Sequence, residues 1–152
     1  MDFTGKVVVI TGASSGIGEA LVYAFADRGA KVVMGARNSA KLAEIAAQLF
    51  TRGIESAFEA TDVTREEDCK RLIDKALSAF GRIDILICNA GISMRALFDD
   101  VQLDVLRQLM DVNFWGTVYC AKYALPALQA AKGTLVGVSS VAGMHGLPGR
   151  TG

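Results

Sequence analysis

Thr11-Gly12-Ala13-Ser14-Ser15-Gly16-Ile17-Gly18 follows the β-branched apolar run Lys6–Thr11 and precedes a stretch of helical periodicity. A strand that opens through glycines into a helix is the first half of a β-α-β unit, so this octet decides the fold class. Glycines allow the backbone to turn tightly and to approach a pyrophosphate closely. The helix start adds free N–H groups and a partial positive charge, a contribution of about 0.3–1 kcal/mol toward a bound anion. The bland alternative is an ordinary strand-to-helix turn; the position at the first crossover argues for a phosphate-binding turn. No Lys-Ser or Lys-Thr follows the glycines, which excludes a P-loop.

The alternation continues outward from this turn. Ile17, Leu21, Val22 and Phe25 share one face of a helix expected over residues 16–28, and Gly29 stands where a helix C-terminal glycine belongs. Lys31–Ala36 reads as a second strand. Asn38 or Ser39 can cap the next helix, whose Leu42, Ile45, Ala46 and Leu49 recur at helical spacing, with Gly53 ending it. Glu55–Ala60 is a third strand. Thr64-Arg65-Glu66-Glu67 matches a capping box, so a helix is expected from there to Phe80. Ile83–Cys88 is a fourth strand. Two helical stretches follow, the second over Val112–Ala131, with Pro126 expected to kink or break it. Gly133–Ser139 is a fifth strand. Strands alternating with helices over short connections imply parallel pairing with right-handed crossovers. The expected fold is α/β, a doubly wound parallel sheet of Rossmann type, in one domain over residues 1–152.

Composition narrows the function classes. The 152 residues are 51% hydrophobic and 21% charged, which describes a core-rich globular chain. Sixteen basic and sixteen acidic residues cancel, leaving no field to attract nucleic acid or an anionic membrane. Apolar runs such as Val7–Ile10 and Ile85–Cys88 are too short to span a bilayer, and Met1–Lys6 lacks a signal-peptide layout. Cys69, Cys88 and Cys120 are widely spaced and odd in number, and the expectation is three reduced thiols in a cytoplasmic protein. His145 is the only histidine, so no metal site is expected.

The glycine spacing is Thr-Gly-x-x-x-Gly-x-Gly rather than the common G-x-G-x-x-G, and with it the sequence resembles the short-chain dehydrogenase/reductase family. In the extended, sugar-epimerase-like branch of that family the middle glycine would fall at Ser15. Further matches follow in the family's order: Asp62-Val63 after the third strand, Asn89-Ala90-Gly91 after the fourth, Asn113 at the head of the long helix, and Ser139-Ser140 at the end of the fifth strand. The resemblance covers essentially the whole chain. It implies a cofactor contacted by Gly12, Ser14, Ser15, Gly16, Ile17 and Gly18, with Asp62 on the adenine amino group and Val63 beside the ring. It also implies a cleft floor at Asn89, Ala90 and Gly91, where the asparagine ties neighbouring strands together.

A dinucleotide fold reads the adenosine ribose at the end of its second strand, with an acid for NAD or an arginine for the 2′-phosphate of NADP. Here that place reads Gly35-Ala36-Arg37-Asn38. The acid position is an alanine and a guanidinium follows at once, able to grip a phosphate through paired charge-assisted bonds. NADP(H) is therefore expected over NAD(H); the alternative for Arg37 is a solvated loop charge.

By resemblance, Asn113 bends its helix and holds a water in a proton relay. The residue-level alternative is a satisfied asparagine buried in an apolar helix beside Phe114 and Trp115. By the same resemblance Ser140, chosen over Ser139 by counting forward to where the family's tyrosine follows its serine, is the expected catalytic serine and substrate contact. His145 lies in the following loop near where substrate would sit. The family's Tyr-x-x-x-Lys is absent: its tyrosine would be the first residue after Gly152, and Tyr119 with Lys122 is one residue too short and on another helix. The family sheet also has two further strands, so five of seven are expected here and the fifth should present an exposed apolar edge. The activity implied for a longer chain is hydride transfer between NADP(H) and a small-molecule carbonyl or secondary alcohol, in a homo-oligomer. The 152 residues alone are expected to be inactive, and the second reading is a catalytically silent dinucleotide-binding module.

Overall fold

The computed structural model describes residues 2–149. Its elements run β1 (Val7–Thr11), α1 (Gly16–Ala26), β2 (Lys31–Ala36), α2 (Ser39–Thr51), β3 (Ser56–Ala60), α3 (Glu66–Phe80), β4 (Ile85–Cys88), α4 (Leu103–Met110), α5 (Gly116–Ala131) and β5 (Thr134–Gly137). The five strands form one parallel sheet in the order β3-β2-β1-β4-β5. This is the Rossmann-like arrangement expected from the alternation, with the order reversing between β1 and β4.

The central strand explains why the sheet is covered on both faces. Val7, Val8, Val9 and Ile10 are each at most 1% exposed. Successive side chains point to opposite faces. Val7 and Val9 enter a cluster with Leu72, Ile73, Cys120 and Leu128 from α3 and α5. Val8 and Ile10 enter another with Val22 of α1 and Leu42, Ile45 and Leu49 of α2. A continuous apolar run, rather than an alternating one, is what a strand buried on both sides requires. Each such side chain contributes about 1.5–3 kcal/mol on burial.

Local signals hold at several ends. Gly29 (φ 85°) and Gly53 (φ 72°) adopt the left-handed conformation after α1 and α2, and Asn38 caps α2 by accepting from the Lys41 amide at 3.0 Å. One local expectation is overturned, and of the two outcomes expected at Pro126 the break does not occur. The capping box does not form: the Thr64 hydroxyl donates to Asp62 Oδ1 at 2.8 Å, and α3 starts after Arg65 with no side-chain cap. The Asp62 carboxylate, a nearby anion, out-competes an uncharged role for that hydroxyl. Pro126 does not break α5, which continues through it. Gly116, Cys120, Ala124 and Leu128 form a buried i,i+4 stripe that holds the helix against α3, while Pro126 and Lys122 are exposed, so the carbonyl that proline leaves unbonded faces water. The interruption comes earlier, as a π-helical turn over Asp111–Trp115 between α4 and α5.

β5 is shorter than the expected Gly133–Ser139, and all four of its residues are exposed. The three cysteines are free and buried. Burial pushes the Cys88 thiol up to about 11, and the Cys69 hydrogen bond, then burial, pushes Cys120 up as well, so both stay protonated. Among the described residues no helix is long and apolar enough to cross a membrane, and no cluster of His, Cys, Asp or Glu could hold a metal ion.

Candidate functional site

A cleft of about 480 Å³ opens over the C-terminal ends of β1, β2, β3 and β4, where the strand order reverses. Gly12, Ser14, Ser15 and Ile17 line it from the β1–α1 turn, and Ala36, Arg37 and Asn38 from the end of β2. Thr61, Asp62 and Val63 contribute from the end of β3, and Asn89, Ala90, Gly91 and Ile92 from the end of β4, with Val112 across from them. Of the sequence-derived cofactor residues only Gly16 and Gly18 lie outside the lining. Thr61, Ile92 and Val112 were not singled out by sequence; Thr61 and Ile92 stand one residue outside motifs that were.

The turn is built around backbone approach. Gly12 (φ 67°) has space for no side chain: a Cβ there would lie 2.9 Å from Ala90 Cα. Gly18 packs beneath it, since its Cβ would lie 2.1 Å from the Gly12 carbonyl oxygen. Ser15 precedes α1 without giving a side-chain bond to the first turn, so no side chain of the N-cap competes for those amides. Asn89 fastens the opposite wall. Its Nδ2 donates to the Thr11 and Gly12 carbonyls at 3.0 and 3.4 Å, and its backbone N–H and that of Ala90 both donate to Thr11 Oγ1 at 3.0 Å. The strand-tying geometry expected of this asparagine is thus observed.

At the end of β2, Ala36 is buried and Arg37 exposed. Arg37 forms no ion pair among the described residues. Asp62 Oδ1 accepts from the Thr64 backbone N–H at 3.0 Å and from its hydroxyl. At the other end, Asn113 lies in the π turn, where Nδ2 donates to the Ile92 carbonyl and Oδ1 accepts from the Ile92 N–H, both at 2.9 Å. The local departure from α-helix falls where expected, but Asn113 is exposed rather than buried.

Ser140 lies apart from the cleft lining, exposed, with Oγ accepting from the Ala142 N–H at 3.2 Å at the head of a short 3₁₀ turn. His145 is exposed in the same loop. The tyrosines are occupied elsewhere. Tyr123 donates to Glu66 at 2.6 Å, Tyr23 donates to Gln48 at 2.5 Å, and the Tyr119 ring stacks on Trp115 at 5.8 Å. The side chain of Lys122 is paired with Glu66 at 2.9 Å.

Comparison with known proteins places this geometry. The family model described as short chain dehydrogenase matches residues 6–152. An 11-beta-hydroxysteroid dehydrogenase A of Sesamum indicum is 43% identical over 141 residues, covering 91% of this chain and 40% of the relative. An 11-beta-hydroxysteroid dehydrogenase of Pinus massoniana is 42% identical over 149 residues, 97% of this chain and 42% of the relative. The chain thus spans about two fifths of the length of these curated relatives. An alcohol dehydrogenase of Thermococcus sibiricus complexed with 5-hydroxy-NADP superposes with a TM-score of 0.93 at 31% identity, over 95% of this chain and 62% of that one. A short chain dehydrogenase/reductase of Burkholderia phymatum in complex with NAD gives 0.93 at 30% identity, over 99% and 54%. With the glycine turn, the strand-tying asparagine and the reversed strand order all in place, the chain belongs to the short-chain dehydrogenase family.

Proposed function

We propose that residues 1–152 form the nucleotide-binding domain of an NADP(H)-dependent oxidoreductase that exchanges hydride with a carbonyl or secondary alcohol. The observation that carries the cofactor preference is Arg37. It stands in the cleft directly after β2, exposed and without an ion pair among the described residues, while the acid position is the buried Ala36. Such a guanidinium offers two parallel donors to a 2′-phosphate, and the position where an acid would repel that phosphate is Ala36. The residues present fit the cofactor: the glycine turn leaves room for a pyrophosphate beside the start of α1, and Asp62 and Val63 line the wall that would meet the adenine. The nicotinamide, when bound, supplies or accepts the hydride. Ser140 then orients and polarises the reacting oxygen, and Asn113 fixes the β4–α4 connection beside it.

In equilibrium titrations, Arg37→Ala weakens NADPH about tenfold or more by loss of a charged hydrogen-bonded pair, and leaves NADH nearly unchanged. Equal losses for both cofactors would refute the phosphate role.

The catalytic reading needs a tyrosine and lysine that these 152 residues do not contain in the family spacing. It is therefore proposed for a protein that carries that pair beyond Gly152. There, Ser140→Ala abolishes most turnover with cofactor affinity intact, and retained turnover would sink the serine assignment. The names of the plant relatives make an 11β-hydroxysteroid and its ketone the first substrate pair to test. A homo-oligomer in the cytoplasm, with its thiols reduced, completes the proposal. The second reading, a silent dinucleotide-binding module, predicts affinity for NADPH without oxidation of it by any ketone.

A further inference from the structure

The wall that meets the adenine is a short turn between β3 and α3, and its shape is fixed from outside the cleft. Asp68, the third residue of α3, is 8% exposed and does not line the cleft. Its Oδ2 reaches back to accept from the Asp62 backbone N–H at 3.0 Å, and its Oδ1 accepts from Arg71 at 2.8 Å, with Arg65 Nε at 3.3 Å. The turn closes on itself through the Arg65 N–H to the Asp62 carbonyl at 3.0 Å and the Asp68 N–H to the Arg65 carbonyl at 3.1 Å. Asp62 Oδ1 is meanwhile held by Thr64. Val63 has its own support, because α5 approaches it so closely that a Cβ on Gly116 would lie 2.8 Å from Val63 Cβ.

Asp62 therefore enters the cleft on a main chain whose N–H is anchored by one buried carboxylate. Burial pushes the Asp68 carboxyl up, but the Asp62 amide and the Arg71 guanidinium outweigh it and hold it below its usual range, so the anchor is anionic. We infer that Asp68 is a positioning residue for the adenine half of the dinucleotide, setting Asp62 in register with the base through its backbone N–H. The inference rests on the cleft being the cofactor site.

The test separates the two halves of the cofactor in the full chain, using adenosine 2′,5′-bisphosphate, reduced nicotinamide mononucleotide and NADPH as probes. Asp68→Ala weakens adenosine bisphosphate and NADPH about tenfold, the scale of a lost charge-assisted bond, and leaves the mononucleotide unchanged. Asp68→Asn keeps an oxygen for the Asp62 amide and stays within about twofold of wild type, as does Arg71→Ala, which removes only the outer partner. Wild-type binding with equal losses of both fragments in Asp68→Ala, or Asp68→Asn as weak as Asp68→Ala, overturns the inference while leaving the cofactor site intact. If Asp68→Ala does not fold, Asp68→Asn and Arg71→Ala decide: a tenfold loss of adenosine bisphosphate in either overturns it. No binding of NADPH by wild type overturns the site and the inference together.

Discussion

At the scale of single residues, two glycines of the turn do different physical work. Gly16 takes a positive φ of 56°, and a Cβ there meets nothing within 4 Å, so an alanine is strained only by its backbone, about 1–2 kcal/mol. Gly18 needs no unusual φ, but its Cβ would fall 2.1 Å from the Gly12 carbonyl oxygen and 2.6 Å from Asn89 Nδ2. Backbone atoms cannot step aside as a flexible side chain does, so Gly18→Ala must push the turn off Asn89. The expected loss is roughly 2–3 kcal/mol from overpacking, together with weaker NADPH binding as the Thr11 and Gly12 carbonyls lose their donor. Urea denaturation paired with cofactor titration checks both; a Gly18→Ala protein as stable as Gly16→Ala would mean that the packing explanation is wrong. The site was readable where a residue type has few uses, as with glycines at a first crossover, an arginine in place of an acid, and an asparagine after a strand. It was not readable where lining follows from position alone, since Thr61, Ile92 and Val112 carry no chemistry that marks them. Asn113 lies between: it sits in a π turn bonded to Ile92, but exposed where the apolar residues around it in sequence suggested burial.

At the scale of elements, β1 and β4 are pinned at their N-terminal ends by Asp84. It is 3% exposed and accepts from the Val7 N–H at 3.0 Å, Lys6 Nζ at 3.1 Å and Arg82 Nε at 2.8 Å. Burial pushes its carboxyl up, but Arg82, the Val7 amide and Lys6 together hold it below the ordinary carboxylate range. A folded-state pKa below the unfolded value of about 3.9 contributes stability that is full above that value and is lost as pH falls through the folded pKa. Asp84→Asn should therefore destabilise at pH 7 by about 1–3 kcal/mol, moderated because Lys6 and Arg82 are half exposed and can rehydrate. Below about pH 4 the gap to wild type should close, and urea midpoints from pH 3 to 7 measure it; a gap that widens in acid contradicts the assignment. Long periodic elements were legible because burial on one or both faces imposes their patterns. Terminal chemistry was less so, for reasons the structure supplies: Asp62 took the Thr64 hydroxyl that a capping box needs, and the buried stripe of α5 carried the helix through Pro126.

At the scale of the whole molecule, the two edges of the sheet are unequal. β3 is half covered by α2 and α3, and most of its residues are partly buried. β5 exposes all four of its residues, with Leu135 at 48% and Val136 at 36%, and Val138 beyond it at 44%. Register places Leu135 beside Leu86, on the face toward α3 and α5, and Val136 beside Ile87, on the face toward α1 and α2. Both faces of this strand are thus partly open together with its outer row of N–H and C=O groups, which is the geometry that recruits another strand. The 152-residue chain by itself should associate with rising concentration, reaching dimers or larger species at roughly 0.1 mM in sedimentation velocity. Leu135→Lys with Val136→Lys should shift it toward monomer, since strand pairing would then have to bring lysines together on both faces, and should leave NADPH affinity unchanged because neither residue lines the cleft. If the wild-type chain stays monomeric at that concentration, the edge is protected by something other than its sequence. If the lysine pair removes cofactor binding as well, β5 supports the cleft itself, and the covered centre and bare edge of this sheet are coupled.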